Sequence, residues 1–124
     1  MPKTVLVVDD EPDVVAYYSA LLNDSGYQTL EALDAEQALE HVRTGHPDLI
    51  TLDISMPEMS GVRAYRTLKA DESLSRIPVV IVTGLAHDFK QFISTRRQVP
   101  PPEGYLEKPV DAQNLLAEIK RLIG

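Results

Sequence analysis

Cysteine is absent from this 124-residue sequence, and basic residues are scarce, with 12 Lys and Arg against 19 Asp and Glu. Without cysteine there are no disulfide frameworks, thiolate catalysis or cysteine-based zinc sites. No stretch approaches the roughly 20 apolar residues of a membrane span, and the N-terminus lacks the pattern of a secretory signal. The acidic balance disfavours direct nucleic-acid binding, because phosphate neutralisation needs clustered Lys and Arg. We therefore expect a cytoplasmic protein that contacts neither nucleic acid nor a membrane.

What is present is ordinary globular composition, 44% hydrophobic and 25% charged, with an uneven charge distribution. The length fits one domain spanning 1–124. Residues 1–62 carry a net charge of −10, whereas residues 63–124 carry +3. The acidic residues are interleaved with apolar ones and do not form a run, which favours a site over an acidic tail.

Short β-branched segments alternate with segments of helical periodicity. The predicted strands are 4–9, 27–30, 49–53, 77–83 and 104–107. Three of them are nearly continuous apolar runs, which is typical of strands covered on both faces of a parallel sheet. Helical spacing predicts three helices between the first four strands, a less clear fourth at 86–97, and a fifth after the last strand. The alternation predicts an α/β fold with an open, doubly wound, five-stranded parallel sheet flanked by five helices.

Polar residues collect at the carboxyl ends of the predicted strands, where sheets of this kind bind ligands. Asp9 and Asp10 follow the first strand and Asp53 ends the third, while Thr83 and Lys108 lie at the ends of the fourth and fifth. Two like charges 4 Å apart repel by about 4 kcal/mol at an effective dielectric near 20, so three carboxylates need a cation. Oxygen ligands without a nearby His or Cys favour Mg²⁺ over zinc.

Each of these five residues also has an ordinary structural explanation. Asp9 and Asp10 can cap the following helix, and Asp53 can begin a turn. Thr83 suits a strand, and Lys108 suits a solvated surface. Their joint placement at four strand ends of one sheet favours a site.

Four motifs carry a resemblance to a known family. They are V-V-D-D-E-P at 7–12, D-I-S-M-P-E-M-S-G at 53–61, V-T-G at 82–84 and Y-L-E-K-P at 105–109. With these motifs the whole chain resembles the receiver domain of two-component response regulators and is similar to the single-domain chemotaxis regulator. The resemblance implies a flavodoxin-like fold with strand order 2-1-3-4-5. It also implies a phosphorelay signalling module that is no enzyme beyond catalysing its own phosphorylation and dephosphorylation.

The resemblance implies roles for individual residues. Asp53 matches the aspartate that accepts a phosphoryl group from the phosphohistidine of a sensor histidine kinase or phosphotransfer protein. Thr83 and Lys108 match the hydroxyl and the ammonium that bind this group. The implied Mg²⁺ ligands are Asp9, Asp10, Asp53 and the backbone carbonyl of Ser55.

A conformational switch is also implied. Thr83 moves to the phosphoryl oxygen and Tyr105 rotates into the vacated space, which couples the pocket to the face formed by helix four, strand five and helix five, where a downstream effector binds. A half-buried strand aromatic is the alternative for Tyr105. The Lys108–Pro109 peptide bond is expected to be cis, and Gly61 is expected to let the chain turn into the third helix. Both a monomer and a phosphorylation-dependent dimer remain open.

The segment V-P-P-P-E-G at 99–104 departs from the family pattern. Its three prolines predict a stiff connector, with a ligand for a proline-recognising partner as the alternative. The output face is expected to be basic, so that its partner presents acidic as well as apolar groups. The basic residues concerned are Lys90, Arg96, Arg97, Lys120 and Arg121.

Two other functions fit the sequence less well. A Mg²⁺-dependent phosphohydrolase with an aspartate nucleophile would need a second carboxylate two residues after Asp53, where Ser55 stands. A flavin mononucleotide carrier would need a phosphate-binding loop after the first strand, where the acidic D-D-E would repel phosphate.

Overall fold

The computed structural model describes residues 2–54, 60–84 and 102–124, and only the backbone of Ser60 and Thr83. The strands are β1 (Thr4–Val8), β2 (Gln28–Ala32), β3 (Leu49–Asp53), β4 (Val79–Thr83) and β5 (Gly104–Glu107). The helices are α1 (Pro12–Asp24), α2 (Ala35–Gly45), α3 (Ser60–Ala70) and α4 (Ala112–Ile123). The helix predicted at 86–97 lies outside the described residues, so α4 is the helix expected to be the fifth.

The five strands form one parallel sheet in the order β2-β1-β3-β4-β5, which confirms the predicted topology. Four strand bounds differ from those predicted. The first strand ends at Val8 and not at residue 9, and the second begins at Gln28 and not at residue 27. The second strand runs on to Ala32, because Ala32 pairs with Val8 at the end of β1. The fourth begins at Val79 and not at residue 77, since Pro78 has no N–H to donate to a ladder.

Both faces of the sheet are covered, as the continuous apolar strands predicted. Side chains alternate along each strand, so that Leu6 and Val8 pack toward α2 and α3 while Val5 and Val7 pack toward α1 and α4. All five residues of β3 are buried. The described central strands are therefore surrounded by apolar side chains, and polar groups on them can reach solvent at the ends of the strands.

The helix starts follow the local signals in the sequence. Pro12 opens α1. Asp34 caps α2 by accepting a hydrogen bond from the Gln37 N–H at 2.8 Å, while the Gln37 side chain accepts one from the Leu33 N–H at 2.9 Å. Asp111 caps α4 by accepting a hydrogen bond from the Gln113 N–H at 2.8 Å. Within the described ranges, no helix has the length and apolar character needed to cross a membrane.

Candidate functional site

Three carboxylates meet where β1 and β3 end side by side. Asp9 follows β1 directly and its N–H donates to the Ala32 carbonyl at 3.2 Å, which holds its backbone against β2. Asp53 is the last residue of β3. One carboxylate oxygen each from Asp9, Asp10 and Asp53 lies within 4.8 Å of the other two. Asp9 and Asp53 are only 1% and 3% exposed, whereas Asp10 is exposed, so the cluster is buried on one side and open to solvent on the other.

Lys108 reaches into this cluster from the segment after β5. Its Nζ lies 2.9 Å from Asp9 Oδ2 and 3.3 Å from Asp53 Oδ2, and its side chain is 25% exposed. One ammonium thus bridges the two buried carboxylates. Since β4 lies between β3 and β5 in the sheet, the long side chain of a lysine is needed to cover this distance.

The pKa values of Asp9 and Lys108 reflect burial as well as charge. Burial raises the pKa of Asp9 and the Asp53 charge adds to this, which outweighs the hydrogen bonds that Asp9 accepts from the Glu11 N–H and from Lys108. Burial alone would lower the pKa of Lys108, but the hydrogen bond to Asp9 and the charges of Asp53 and Asp9 together raise it. The lysine therefore stays charged, and one cation leaves the ionised form of Asp9 incompletely compensated.

The donor set fits a hard divalent cation. All three side chains offer oxygen, and the exposed position of Asp10 leaves room for water ligands, which Mg²⁺ retains in most protein sites. Among the described residues, Asp9, Asp10 and Asp53 could hold such an ion. Ser55, whose backbone carbonyl was the fourth predicted ligand, lies outside the described residues.

Gly61, in the first turn of α3, has a role that the sequence did not reveal. A Cβ on Gly61 would lie 2.6 Å from Ile54 Cα and closer still to the Asp53 carbonyl oxygen. A glycine is therefore needed because the helix packs directly on the backbone at Asp53. We expected it to permit a turn, but the segment 55–59 that would make the turn lies outside the described residues.

The remaining predicted residues lie along the same edge or beside it. Thr83 ends β4 and pairs with Glu107 in register, while its neighbour Val82 pairs with Asp53. The Lys108–Pro109 peptide bond is cis, which is the isomer that the resemblance implied. Tyr105 is half-buried and packs against the core on the α2 and α3 face, and burial raises its pKa. Its rotation stays a prediction.

A groove of about 590 Å³ opens beside Lys108, between α1 and the start of the segment after β5. Its lining includes Glu11, Tyr17, Tyr18, Lys108 and Pro109. Tyr17 is 53% exposed, whereas Tyr18 is buried. Helical spacing in the sequence assigns Tyr18 to the core, but only the packing of α1 against the segment after β5 shows that both tyrosines border the groove.

Comparison with known proteins agrees with this geometry. The model of the response regulator receiver domain matches residues 5–120. The chain belongs to the response regulator receiver family. The polar-differentiation response regulator DivK of Brucella ovis is 35% identical over 124 residues, a match that covers all of this chain and 98% of DivK.

Solved receiver structures superpose closely on this receiver domain. The signal receiver domain of a response regulator from Bermanella marisrubri has a TM-score of 0.86 at 30% identity, and all of both chains is covered. The chemotaxis response regulator CheY4 of Vibrio cholerae has a TM-score of 0.84 at 25% identity, with 99% of this chain and all of CheY4 covered. The family resemblance in the sequence is confirmed, and the chain is a signalling module of two-component systems and not a classical enzyme.

Proposed function

We propose that this receiver domain accepts a phosphoryl group on Asp53 from the phosphohistidine of a sensor histidine kinase or phosphotransfer protein. The observation that carries the proposal is the cluster of three carboxylate oxygens within 4.8 Å of one another, with the Lys108 ammonium at 2.9 Å and 3.3 Å from two of the carboxylates. The domain would comprise residues 1–124, act in the cytoplasm and bind no nucleic acid itself.

The transfer makes one bond and breaks one. A carboxylate oxygen of Asp53 attacks phosphorus, the P–N bond of the donor phosphohistidine breaks, and the imidazole leaves with the electron pair and takes up a proton. The product carries about −1.5 to −2 charge at neutral pH beside Asp9 and Asp10. Lys108 lies where its positive charge can offset part of this increase, and the Thr83 hydroxyl would bind a phosphoryl oxygen.

The residues that would hold Mg²⁺ are Asp9, Asp10, Asp53 and the backbone carbonyl of Ser55. When bound, Mg²⁺ neutralises the charge that develops on the phosphoryl oxygens. Its requirement follows from the charge balance, because one lysine faces three carboxylates before any phosphoryl group arrives.

The output of the modification would be a change at the face that contains β5, α4 and the helix predicted at 86–97. Thr83 and Tyr105 would couple Asp53 to this face, and a downstream effector would bind there. The basic side chains expected on it, Lys120 and Arg121 among them, would favour a partner with acidic as well as apolar groups. Phosphorylation would either act on a monomer or promote a dimer.

The test is phosphorylation by a small donor. Acetyl phosphate with Mg²⁺ is expected to add one phosphoryl group to the parent protein, and Asp53→Asn is expected to abolish the adduct in intact-mass spectrometry. Asp24→Asn is the matched control, since Asp24 is an exposed carboxylate at the far end of α1 and its adduct should equal that of the parent. An unmodified parent protein, or an undiminished adduct on Asp53→Asn, would refute the proposal.

A further inference from the structure

An ion pair lies at the opposite end of the sheet from the acidic cluster, with its lysine buried and its glutamate side chain 36% exposed. The side chain of Lys69 is only 2% exposed, and its Nζ lies 2.8 Å from both carboxylate oxygens of Glu103. The Nζ also donates to the Ser75 carbonyl at 3.3 Å. Burying an ammonium group is costly unless a partner compensates its charge, and the carboxylate of Glu103 is that partner.

Glu103 joins three elements at this point. Lys69 lies near the end of α3, and the Val79 N–H at the start of β4 donates to Glu103 Oε1 at 2.8 Å. Glu103 itself immediately precedes Gly104, the first residue of β5. Its main-chain carbonyl in addition accepts a hydrogen bond from Arg121 of α4 at 2.9 Å. We call the contacts of Lys69, Glu103 and Val79 the Glu103 anchor.

The same three elements carry the proposed phosphoryl site at their other ends. The start of α3 packs on the Asp53 backbone through Gly61, β4 ends at Thr83, and Lys108 directly follows β5. The distance from anchor to site is similar along each: about 12 Å for the eight-residue rise along α3 and about 13 Å for each strand. Helices and strands resist changes in length, so a shift of any element at the anchor is carried to the site.

We propose that Glu103, together with Lys69, is a positioning residue for phosphoryl transfer at Asp53, because it sets how far α3, β4 and β5 extend relative to one another. The part of this proposal that concerns the rate of phosphorylation rests on the proposed function. Asp9 and Asp10 follow β1, which pairs with β2 and β3. The anchor therefore acts on Thr83, Lys108 and the Asp53 backbone, and not directly on Asp9 and Asp10, which are two of the three carboxylates that could hold the ion.

The test compares two variants that keep side-chain shape. Glu103→Gln can still accept from the Val79 N–H but removes the charge that faces Lys69, whereas Lys69→Met removes the cation. Both are expected to lower the initial rate of adduct formation from acetyl phosphate on the order of tenfold. The Mg²⁺ midpoint, followed through the Asp10 amide signal in NMR, should change less than the rate, because Asp9 and Asp10 follow β1, which is not part of the anchor. Lys69→Arg should restore most of the rate.

Glu40→Gln is the matched control, since Glu40 is an exposed carboxylate on α2, an element that the Glu103 anchor does not join. It should phosphorylate at the parent rate. If Glu103→Gln and Lys69→Met lower only the melting temperature and phosphorylate within about twofold of the parent rate, the ion pair only stabilises the fold. That result would overturn the proposal. A Mg²⁺ midpoint that shifts as much as the rate would also overturn it.

A second measurement separates this proposal from the proposed function. The amide signal of Thr83 and the Nζ signal of Lys108 should shift in Glu103→Gln and stay in place in Glu40→Gln, with no phosphoryl donor present. If the parent forms no adduct, the proposed function fails, and these signals still decide whether Glu103 positions the two residues. Unchanged signals in Glu103→Gln would refute the positioning role even if Lys69→Met fails to fold.

Discussion

The packing of α3 on the Asp53 backbone can be tested by adding one methyl group at Gly61. In Gly61→Ala the new Cβ would lie 2.6 Å from Ile54 Cα, and the neighbour is backbone, which cannot rotate away. Ordinary contact begins at 3.4 Å, so the two backbones must separate by at least about 0.8 Å. Overpacking of this kind costs about 1–3 kcal/mol, while alanine in place of glycine in a helix recovers up to about 1 kcal/mol.

We therefore expect Gly61→Ala to lower the free energy of unfolding by about 1–2 kcal/mol. Urea denaturation measures this as a lower midpoint at an unchanged slope. Gly84→Ala is the control, because a Cβ at Gly84 would have no atom of the described residues within 4 Å. Its stability should stay within about 0.5 kcal/mol of the parent.

The same separation should displace Asp53 or the helix beside it. A misplacement of about 1 Å in a reacting group can lower a rate about 100-fold, so phosphorylation of Gly61→Ala from acetyl phosphate should slow by at least about tenfold. If Gly61→Ala were as stable as the parent, or more stable, helix propensity would outweigh the predicted clash and the reasoning would be refuted. Phosphorylation at the parent rate would refute the link between this contact and Asp53.

Two further predictions concern a buried phenol and the proposed ion. Burial raises the pKa of Tyr65 above its ordinary 10.0. The folding stability that depends on the protonated phenol is therefore complete below pH 10 and is lost as the pH rises through the pKa of the folded protein. Between pH 10 and about 12, the free energy of unfolding should fall more steeply for the parent than for Tyr65→Phe. Tyr17→Phe, at an exposed position, should follow the parent. Equal slopes for the parent and Tyr65→Phe would contradict the prediction. Mg²⁺ at ten times its Kd should stabilise the parent by about 1.4 kcal/mol, and thermal melts of Asp10→Asn should show a smaller gain; an equal gain would place the ion elsewhere.

The residues of the site could be predicted because parallel topology fixes their positions almost independently of how the side chains pack. Once the strands are recognised as a parallel sheet, their carboxyl ends must share one edge, and Asp9, Asp53 and Lys108 come at those ends. The structure brings these three together as expected. The capping residues Asp34 and Asp111 could also be predicted, since a cap depends on three or four consecutive residues.

Contacts between distant segments could not be predicted in this way. The pattern of an amphipathic helix such as α3 predicts that its lysines are solvated. Nothing near Lys69 in the sequence indicates a partner 34 residues away. The sequence predicts a turn at Gly61, but the packing of Gly61 on Asp53 can be seen only once the two backbones are placed in space.

The sequence by itself determined the order of the described strands and helices, the family and the residues available at the sheet edge, because hydrophobic periodicity and motif spacing are local properties. Only the tertiary structure decided which of these residues touch, that Lys108 bridges two buried carboxylates, and that Glu103 ties α3 and β4 to the start of β5. The physical reason is that burial and ion pairing depend on which surfaces meet, and that is settled when all the elements pack together.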